Sequence, residues 1–300
     1  MRCAISTRDQ GAPLELSRIP RFETALTAAA ATKRRAARHG RIGIGVVVLA
    51  TLLPALILLA LFAFRNQIVD AVLKRIPISF DQEVGRMFEG EILGSAETSP
   101  EGEATRAVGL IVDRLKTAIP VPGIEFRLRV QRNDQVNAFA APGGLIVVYT
   151  GLIKEAESGE ELAGVLAHEM AHAQRRHSMR QLIYGAGLVP LIGLLIGEPD
   201  AASLARNLGQ LSELRFSRAQ EEDADRAGFD ALVAAGIDPR GMARFLDRLS
   251  KMEGTPPTFL STHPSSAGRA AAIRERQAEL SGLRERPLSI DWATVQSSIR

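Results

Sequence analysis

The sequence is poor in cysteine and in aromatic residues. Its 300 residues include one cysteine, Cys3, one tryptophan and two tyrosines, and aromatic residues amount to 5%. A single cysteine excludes an internal disulfide bond and a metal site made of several thiolates. The scarcity of aromatic rings disfavours a protein that binds single-stranded nucleic acid by stacking its bases. We expect no nucleic-acid partner.

Apolar residues are abundant by contrast. They make up 46% of the chain and charged residues 24%, which is the balance of a chain that buries a substantial core. The length allows one or two domains. The composition therefore predicts a folded protein rather than a disordered one.

One long apolar run lies near the N-terminus. Residues 42–64 read IGIGVVVLATLLPALILLALFAF, which is 23 residues without a charge. Such a run is long enough to cross a hydrocarbon core of about 30 Å, and Pro54 is tolerated within it. No small-x-small cleavage pattern follows, so the run predicts an uncleaved transmembrane anchor rather than a secretory signal. A buried core helix is the less favoured alternative.

Basic residues flank the run unequally. Five precede it and three follow it: Lys33, Arg34, Arg35, Arg38 and Arg41, then Arg65, Lys74 and Arg75. The positive-inside rule then predicts a single-pass protein of the inner (cytoplasmic) membrane with a cytoplasmic N-terminus. The part of the chain that follows the run would lie on the periplasmic or outer face. The basic cluster can also be interpreted as a nucleic-acid patch, but its position before the run favours the membrane.

Residues 158–181 carry the first chemical motif, SGEELAGVLAHEMAHAQRRHSMRQ. Ser158 followed by Glu161 predicts the start of a helix, which we expect to continue without interruption. His168 and His172 are four residues apart, so they project from one helix face and can bind one metal ion. Glu169 can reach a metal-bound water as a general base. Two surface histidines beside a glutamate are the alternative interpretation.

A catalytic zinc requires a third protein ligand. His177 is an unsuitable candidate, because on a continuous helix it would lie on the wrong side, and we expect a surface or packing residue. Downstream, residues 217–228 read SRAQEEDADRAG. Glu221 and Asp225 share a helix face there, so Glu221 can ligate zinc while Asp225 hydrogen-bonds a ligating histidine. A solvated acidic face beside neighbouring arginines is the alternative.

These two motifs together, His168-Glu-x-x-His172 and Ser217-Arg218-x-x-Glu221-x-x-Ala224-Asp225, resemble the CAAX prenyl protease and HtpX-like family of membrane-associated zinc metallopeptidases. Residues 137–152, 235–242 and 262–269 also resemble family segments, so the resemblance covers about residues 80–280. It implies one Zn²⁺ per chain with Glu221 as the third ligand and Asp225 as a partner of a histidine. It also implies that His263 and Arg269 lie near the oxyanion, where hydrogen-bond donors stabilise developing charge.

Two departures from that family limit what the resemblance implies. The several membrane spans of the prenyl protease and HtpX branches are missing, so a prenylated substrate is not an expectation. No tetratricopeptide array follows the peptidase segment. The sequence is more similar to the single-anchor, quality-control type of member.

The predicted architecture is an α+β, mostly helical, zincin-like metallopeptidase domain with a small sheet, behind an N-terminal transmembrane helix. The predicted divisions are a poorly ordered cytoplasmic tail (1–41), the anchor (42–64), a connecting segment (65–104), the peptidase domain (105–282) and a C-terminal tail (283–300). Predicted helices cover 103–118, 203–235 and 239–251, the last capped by Asp238, and predicted strands cover 125–131 and 145–150.

The predicted function is hydrolysis of internal peptide bonds in unfolded or damaged envelope proteins, by a membrane-bound zinc endopeptidase. Strand 145–149 offers an edge for backbone pairing with substrate, and the predicted substrate-binding residues are Asn137, Gly144, Leu145 and Val147. The alternative is a membrane-tethered chaperone or assembly factor with little proteolysis. A structural zinc protein is disfavoured by the single cysteine.

A second apolar run, Leu182 to Gly197, is only 16 residues long, which is too short to cross a bilayer. Proposed ligands lie on both sides of it, so a crossing would separate them. We expect either an apolar flap near the active site or a core segment.

Overall fold

The computed structural model describes residues 4–5, 14–15, 20–90, 102–186, 208–252, 257–264, 267–280 and 285–299. The chain divides into two compact units, residues 1–67 and residues 68–300. In the described residues helices predominate, and the larger unit contains one three-stranded sheet. The predicted α+β, mostly helical class is confirmed.

The first unit is dominated by helix α1, Pro20–Ala63, which follows a two-residue antiparallel pair, β1 (Ala4–Ile5) and β2 (Leu14–Glu15). Within α1, Val46–Ala63 has a mean hydropathy of 2.9 and no buried residue. By length and composition it is the one described helix able to cross a membrane. Residues 20–41 also belong to α1, which differs from the poorly ordered tail expected there. Alanine, lysine and arginine, all good helix formers, are frequent in that stretch.

Helices α2, Arg65–Arg75, and α3, Ile78–Phe88, come next. They bury Val72, Val84 and Phe88 in a cluster that also contains Phe139 and Val147. The predicted connecting segment 65–104 therefore contains two packed helices, and the compact unit begins near residue 68 rather than at 105. Apolar residues at helical spacing are the sequence signal for this packing.

The sheet consists of β3 (Arg127–Gln131), β4 (Ala138–Ala141) and β5 (Leu145–Tyr149) in the order β3-β5-β4. Strand β5 pairs in parallel with β3 and antiparallel with β4, and all five of its residues are buried. The prediction that strand 145–149 offers an edge to substrate is therefore wrong. A continuous apolar run is typical of a central strand, and β4 is the outer strand on that side.

The turn between β4 and β5, Pro142–Gly144, is a 3-10 turn in which Gly143 has φ 75°. A Cβ on Gly143 would lie 2.6 Å from Gln82 Cα, and a Cβ on Gly85 would lie 2.1 Å from the Pro142 carbonyl oxygen. Side chains at these positions would push α3 away from the turn. The glycines thus explain why α3 can pack directly against the strand connection.

Helix α4 (Glu103–Lys116) precedes the sheet in the chain, and helices α5 (Thr150–Glu155) and α6 (Gly159–Gln174) follow it. Ser158 caps α6, since its side chain accepts a hydrogen bond from the Glu161 amide at 3.2 Å. Helix α6 is buried over most of its length. It is the central helix, and the helices at residues 103–116, 177–186, 218–235 and 240–250 pack on it.

The rest of the described chain is helical: α7 (His177–Ala186), a 3-10 helix (Leu208–Glu213), α8 (Arg218–Ala235), α9 (Arg240–Ser250), α10 (Thr258–Thr262), α11 (Ala267–Glu279) and α12 (Trp292–Ser297). Ser217 and Gln220 form a capping box at the start of α8, and Gly236 ends it in the left-handed conformation. Helix α8 therefore begins at 218 rather than at 203. Of the second apolar run, Leu182 and Ile183 are buried in α7, and residues 187–197 lie outside the described residues.

The C-terminal segment packs into the core. Trp292 donates its indole N–H to the Ala156 carbonyl oxygen at 2.7 Å, and Val295 is completely buried. Residues 285–299 are thus part of the compact unit rather than a separate tail.

Candidate metal centre

Helix α6 supplies His168, Glu169 and His172. The Nε2 atoms of His168 and His172 lie 3.0 Å apart, because residues four apart on a helix stand one turn above the other. Both rings are buried. The two histidines therefore point at a common position, as their spacing predicts.

Helix α8 brings two carboxylates to the same place. Glu221 lies 3.4 Å from Nε2 of His168 through Oε2 and 3.4 Å from Nε2 of His172 through Oε1. Asp225, one turn further on, places Oδ1 2.9 Å from Nδ1 of His168. The two predicted carboxylates therefore both contact the histidines. Glu221 lies against the Nε2 atoms of His168 and His172, and Asp225 lies against Nδ1 of His168.

His263 follows α10 and enters the cluster itself. Its Nδ1 lies 3.2 Å from Nε2 of His168 and 3.1 Å from Oε1 of Glu221. Its Nε2 lies 3.3 Å from Oε1 of Glu169, and its ring stacks on Phe259 at 4.7 Å. The structure places His263 at a fourth corner of the ligand cluster, and its predicted role at the oxyanion stays a prediction.

Arg269, from α11, is turned towards the carboxylates. Its Nε and Nη2 donate to the two carboxylate oxygens of Asp225, each at 2.6 Å, and its Nη1 lies 2.7 Å from Oε2 of Glu221. The guanidinium is buried. In this arrangement Arg269 fixes Asp225 and Glu221, and its position near the oxyanion stays a prediction.

The residues present fit a metal ion. The ligand atoms of His168, His172, Glu221 and His263 all lie within 4.8 Å of one another and all four residues are buried. Tetrahedral zinc with ligand bonds of 2.0–2.1 Å requires ligand atoms about 3.3 Å apart, close to the 3.0–3.4 Å found between neighbours here. Imidazole and carboxylate are also ligands that zinc accepts.

The electrostatics of the metal-free cluster favour a positive charge at its centre. Burial lowers the pKa of His168, but the carboxylates of Glu221 and Asp225 outweigh it and raise that pKa to about 9. Burial raises the pKa of Glu221, but His168 and the other histidines bring it far below its ordinary range. Burial also tends to raise the pKa of Asp225, but hydrogen bonds to Arg269 and His168 lower that pKa to about 2. The carboxylates that keep His168 protonated would thus also attract a metal cation to the centre of the cluster.

Glu169 faces the cluster from the same helix. Its Oε2 accepts a hydrogen bond from the Ala140 amide at 3.1 Å, and Ser178 donates to the Ala140 carbonyl oxygen at 2.6 Å. Burial raises the pKa of Glu169 above its ordinary value. The outer strand β4 therefore holds the carboxylate of the predicted base with one oxygen directed towards the cluster.

The predicted substrate-binding residues do not line an open surface. Asn137 is buried and its amide donates to the Ser212 carbonyl oxygen at 3.3 Å. Gly144 lies in the turn packed on Glu125, and Leu145 and Val147 are completely buried in β5. The strand is central rather than at an edge, and the role of these four residues in substrate binding stays a prediction.

His177, which the sequence predicts to be a surface or packing residue, contacts one of the proposed metal ligands. It is buried, and its Nδ1 lies 3.0 Å from Nδ1 of His172. Burial lowers the pKa of His177 to about 4, so the ring is neutral near neutral pH. The expectation that the helix continues past His177 is wrong: α6 ends at Gln174, and Arg176 adopts φ 55° before α7 begins.

Known proteins resemble between about half and two thirds of this chain. A beta-barrel assembly-enhancing protease of Yersinia pestis is 32% identical over 216 residues, which are 66% of this chain and 44% of that protein. The metalloprotease LoiP of Escherichia coli is 34% identical over 164 residues, covering 52% of this chain and 64% of LoiP. The mitochondrial metalloendopeptidase OMA1 of Schizosaccharomyces pombe is 33% identical over 171 residues, covering 54% and 50%.

The chain thus spans less than half the length of the beta-barrel assembly-enhancing proteases that it matches. The sequence profile of peptidase family M48 matches residues 104–277, more than half of the chain. This match includes every residue of the metal cluster and Glu169. The chain therefore belongs to peptidase family M48.

Proposed function

We propose that this protein is a membrane-anchored zinc endopeptidase that hydrolyses internal peptide bonds of unfolded or damaged envelope proteins. One observation carries the proposal: His168, His172 and Glu221 converge in a buried cluster, and Glu169 stands next to it. Membership of family M48 supports a metal-dependent peptidase. The apolar part of α1 supports a membrane anchor.

In the proposed site, Nε2 of His168, Nε2 of His172 and the Glu221 carboxylate hold the metal. A zinc ion held there would supply Lewis acidity for the scissile carbonyl and for a water molecule. Asp225 accepts the Nδ1 proton of His168, so that Nε2 of that ring keeps its lone pair for the metal. Arg269 holds Asp225 and Glu221 in place.

Glu169 is the proposed general base. With Oε2 fixed by the Ala140 amide, Oε1 takes a proton from the attacking water and returns it to the leaving amine. His263 lies within reach of the same atoms, since its Nε2 is 3.3 Å from that oxygen. Its Nδ1 stands at the fourth corner of the cluster, the position that a catalytic zinc keeps open for water. We propose that His263 leaves this corner when water and substrate bind and donates a hydrogen bond to the developing oxyanion.

Strand β4 is the proposed guide for substrate. It is the outer strand of the sheet and its Ala140 contacts the base directly. All four residues of β4 are buried, and the Ala140 amide and carbonyl oxygen are bonded to Glu169 and Ser178. An extended polypeptide would therefore have to displace these contacts in order to pair with β4 beside Glu169. Three of the four residues of β4 are alanines, which offer few side-chain contacts, so we propose broad sequence specificity.

The proposed location is the inner membrane, with the catalytic unit on the periplasmic or outer face. The unequal basic flanks of the apolar run support this orientation. The Yersinia pestis relative is named for enhancing beta-barrel assembly, which agrees with substrates in the envelope.

The test compares the full-length detergent-solubilised protein with Glu169→Gln and with Glu160→Gln, a control on the first turn of the same helix. Bound zinc and cleavage of casein are measured for each. We expect about one zinc per chain in all three and a loss of at least about 10²-fold in cleavage for Glu169→Gln only. Zinc without cleavage in the wild type would favour the chaperone alternative. Absence of zinc from the wild type would refute the ligand assignment.

A further inference from the structure

His172 has a buried neighbour on the side away from the cluster. Its Nδ1 lies 3.0 Å from Nδ1 of His177, while its Nε2 faces Glu221 at 3.4 Å. His168 is arranged in the same way, with Nδ1 against Asp225 at 2.9 Å. Each proposed ligand histidine thus has its own partner, and the partner of His172 is another imidazole.

The proton positions in this pair follow from the chemistry of a neutral imidazole, which carries one N–H and one lone pair. If His172 gives its Nε2 lone pair to a metal, its proton is on Nδ1. That N–H then donates to Nδ1 of His177, whose own proton must be on Nε2. Nε2 of His177 in turn faces Oδ2 of Asp223 at 4.0 Å, so a negative charge lies on the side where the proton is needed.

His177 cannot itself reach the metal position. Both of its nitrogens are directed elsewhere, one to His172 and one towards Asp223, and it is not among the four residues whose ligand atoms converge. The residue is buried, with 5% of its surface exposed. A buried polar side chain whose only hydrogen-bonded partner among the described residues is a proposed ligand suggests a role through that ligand.

The backbone turn after α6 creates this contact. On a continuous helix, residues five apart point about 140° away from each other. Here Arg176 adopts φ 55°, and its guanidinium is held by Asp81 at 2.9 Å and by the Leu73 carbonyl oxygen at 2.7 Å. These bonds anchor the reversal of the chain that returns His177 to His172.

We propose that His177 is a positioning residue that accepts the Nδ1 proton of His172 and so orients His172 for the metal. This inference rests on the proposed function, because it takes His172 as a ligand. Hydrogen-bonding partners of ligand histidines typically contribute 10–100-fold to metal affinity. The acceptor here is a neutral imidazole, held by the turn at Arg176.

Two substitutions separate hydrogen bonding from packing. In His177→Asn, the side-chain carbonyl oxygen can stand near the original Nδ1 and accept the same proton. In His177→Leu, the apolar volume is kept and the acceptor is lost. A packing role predicts that Leu is tolerated better than Asn, because Asn buries an amide. The positioning role predicts the opposite order.

The experiment measures the zinc dissociation constant of the full-length detergent-solubilised protein by competition with a chromophoric chelator. We expect His177→Leu to bind zinc about 10–100-fold more weakly than the wild type, and His177→Asn to recover most of that loss. Equal affinity of His177→Leu and wild type, or a loss in Asn as large as in Leu, would overturn the inference while leaving the proposed function intact. A wild type that binds no zinc would overturn both.

Discussion

Gly228 on α8 lies directly against the backbone of His168 on α6: a Cβ added to Gly228 would stand 3.0 Å from the His168 amide nitrogen. Gly228 shares a helix face with Glu221 and Asp225, since the three are spaced by four and three residues. The glycine therefore sets how closely the two proposed carboxylates approach the histidines. This residue was not singled out in the sequence, although it belongs to the same twelve-residue motif.

We expect Gly228→Ala to weaken zinc binding, and Gly228→Val to do so more strongly, because each added atom pushes α8 away from α6. Overpacking of this kind typically costs about 1–3 kcal/mol of the free energy of unfolding. Gly109→Ala is the matched control, as a Cβ on Gly109 meets nothing within 4 Å. That control is expected to stabilise α4 by about 0.5–1 kcal/mol. Chemical denaturation and zinc titration measure both effects, and equal behaviour of the two alanine variants would contradict the packing argument.

Asp225 pairs with a buried arginine as well as with His168. We expect Asp225→Ala to lower the free energy of unfolding by about 3–5 kcal/mol, because Arg269 keeps its buried charge and loses its bidentate partner. Asp225→Asn should cost less stability, since it keeps a hydrogen-bond acceptor. Both should weaken zinc binding about 10–100-fold. The exposed neighbour Glu222 gives the control Glu222→Gln, and a loss of similar size there would show that the effect is not specific to Asp225.

The pH dependence of stability should differ between metal-free and zinc-loaded protein. In the metal-free fold the pKa of His168 is about 9, against an ordinary value of 6.5. A pKa raised by folding stabilises the fold while the group is protonated, so this contribution is complete below pH 6.5 and is lost as the pH rises through about 9. Bound zinc takes the place of the proton. We therefore expect the chelated protein alone to lose stability in this range.

Urea unfolding of the chelated and zinc-loaded protein across this pH range measures the difference. His168→Gln is the control, because it cannot take up the proton. A chelated wild type whose pH profile matches that of His168→Gln would refute the prediction.

A stable fragment of the larger unit should include helices α2 and α3, because both pack against the sheet. We expect a fragment of residues 68–300 to unfold cooperatively, and a fragment beginning at residue 105 to aggregate. The shorter fragment lacks Val84 and Phe88, which cover Phe139 and Val147 of the sheet, and exposed apolar patches of this kind favour association. Size-exclusion chromatography with thermal unfolding distinguishes the two. If the 105–300 fragment were monomeric and folded cooperatively, the domain boundary at residue 105 predicted from the sequence would be correct.

The sequence by itself determined the local features of this protein. The charge-free run of residues 42–64, the capping serine before α6 and the pairs His168/His172 and Glu221/Asp225 all depend on spacing along one element. Helical periodicity fixes such relations without knowledge of the rest of the fold. The positions of β3, β5 and α4 were also predictable, because their boundaries follow from apolar patterns and nearby breakers.

Only the tertiary structure decided the relations between elements. The sequence could not show that β5 is central, because strand order depends on pairing with distant segments. It could not show that the chain reverses at Arg176, because that turn is stabilised by Asp81 and by the carbonyl oxygens of Leu73 and Ile76. The placement of His263 in the cluster and of Arg269 on the carboxylates likewise follows from how α10 and α11 pack on the buried helices. Long-range packing and buried charge pairing set these contacts, and neither is encoded in local spacing.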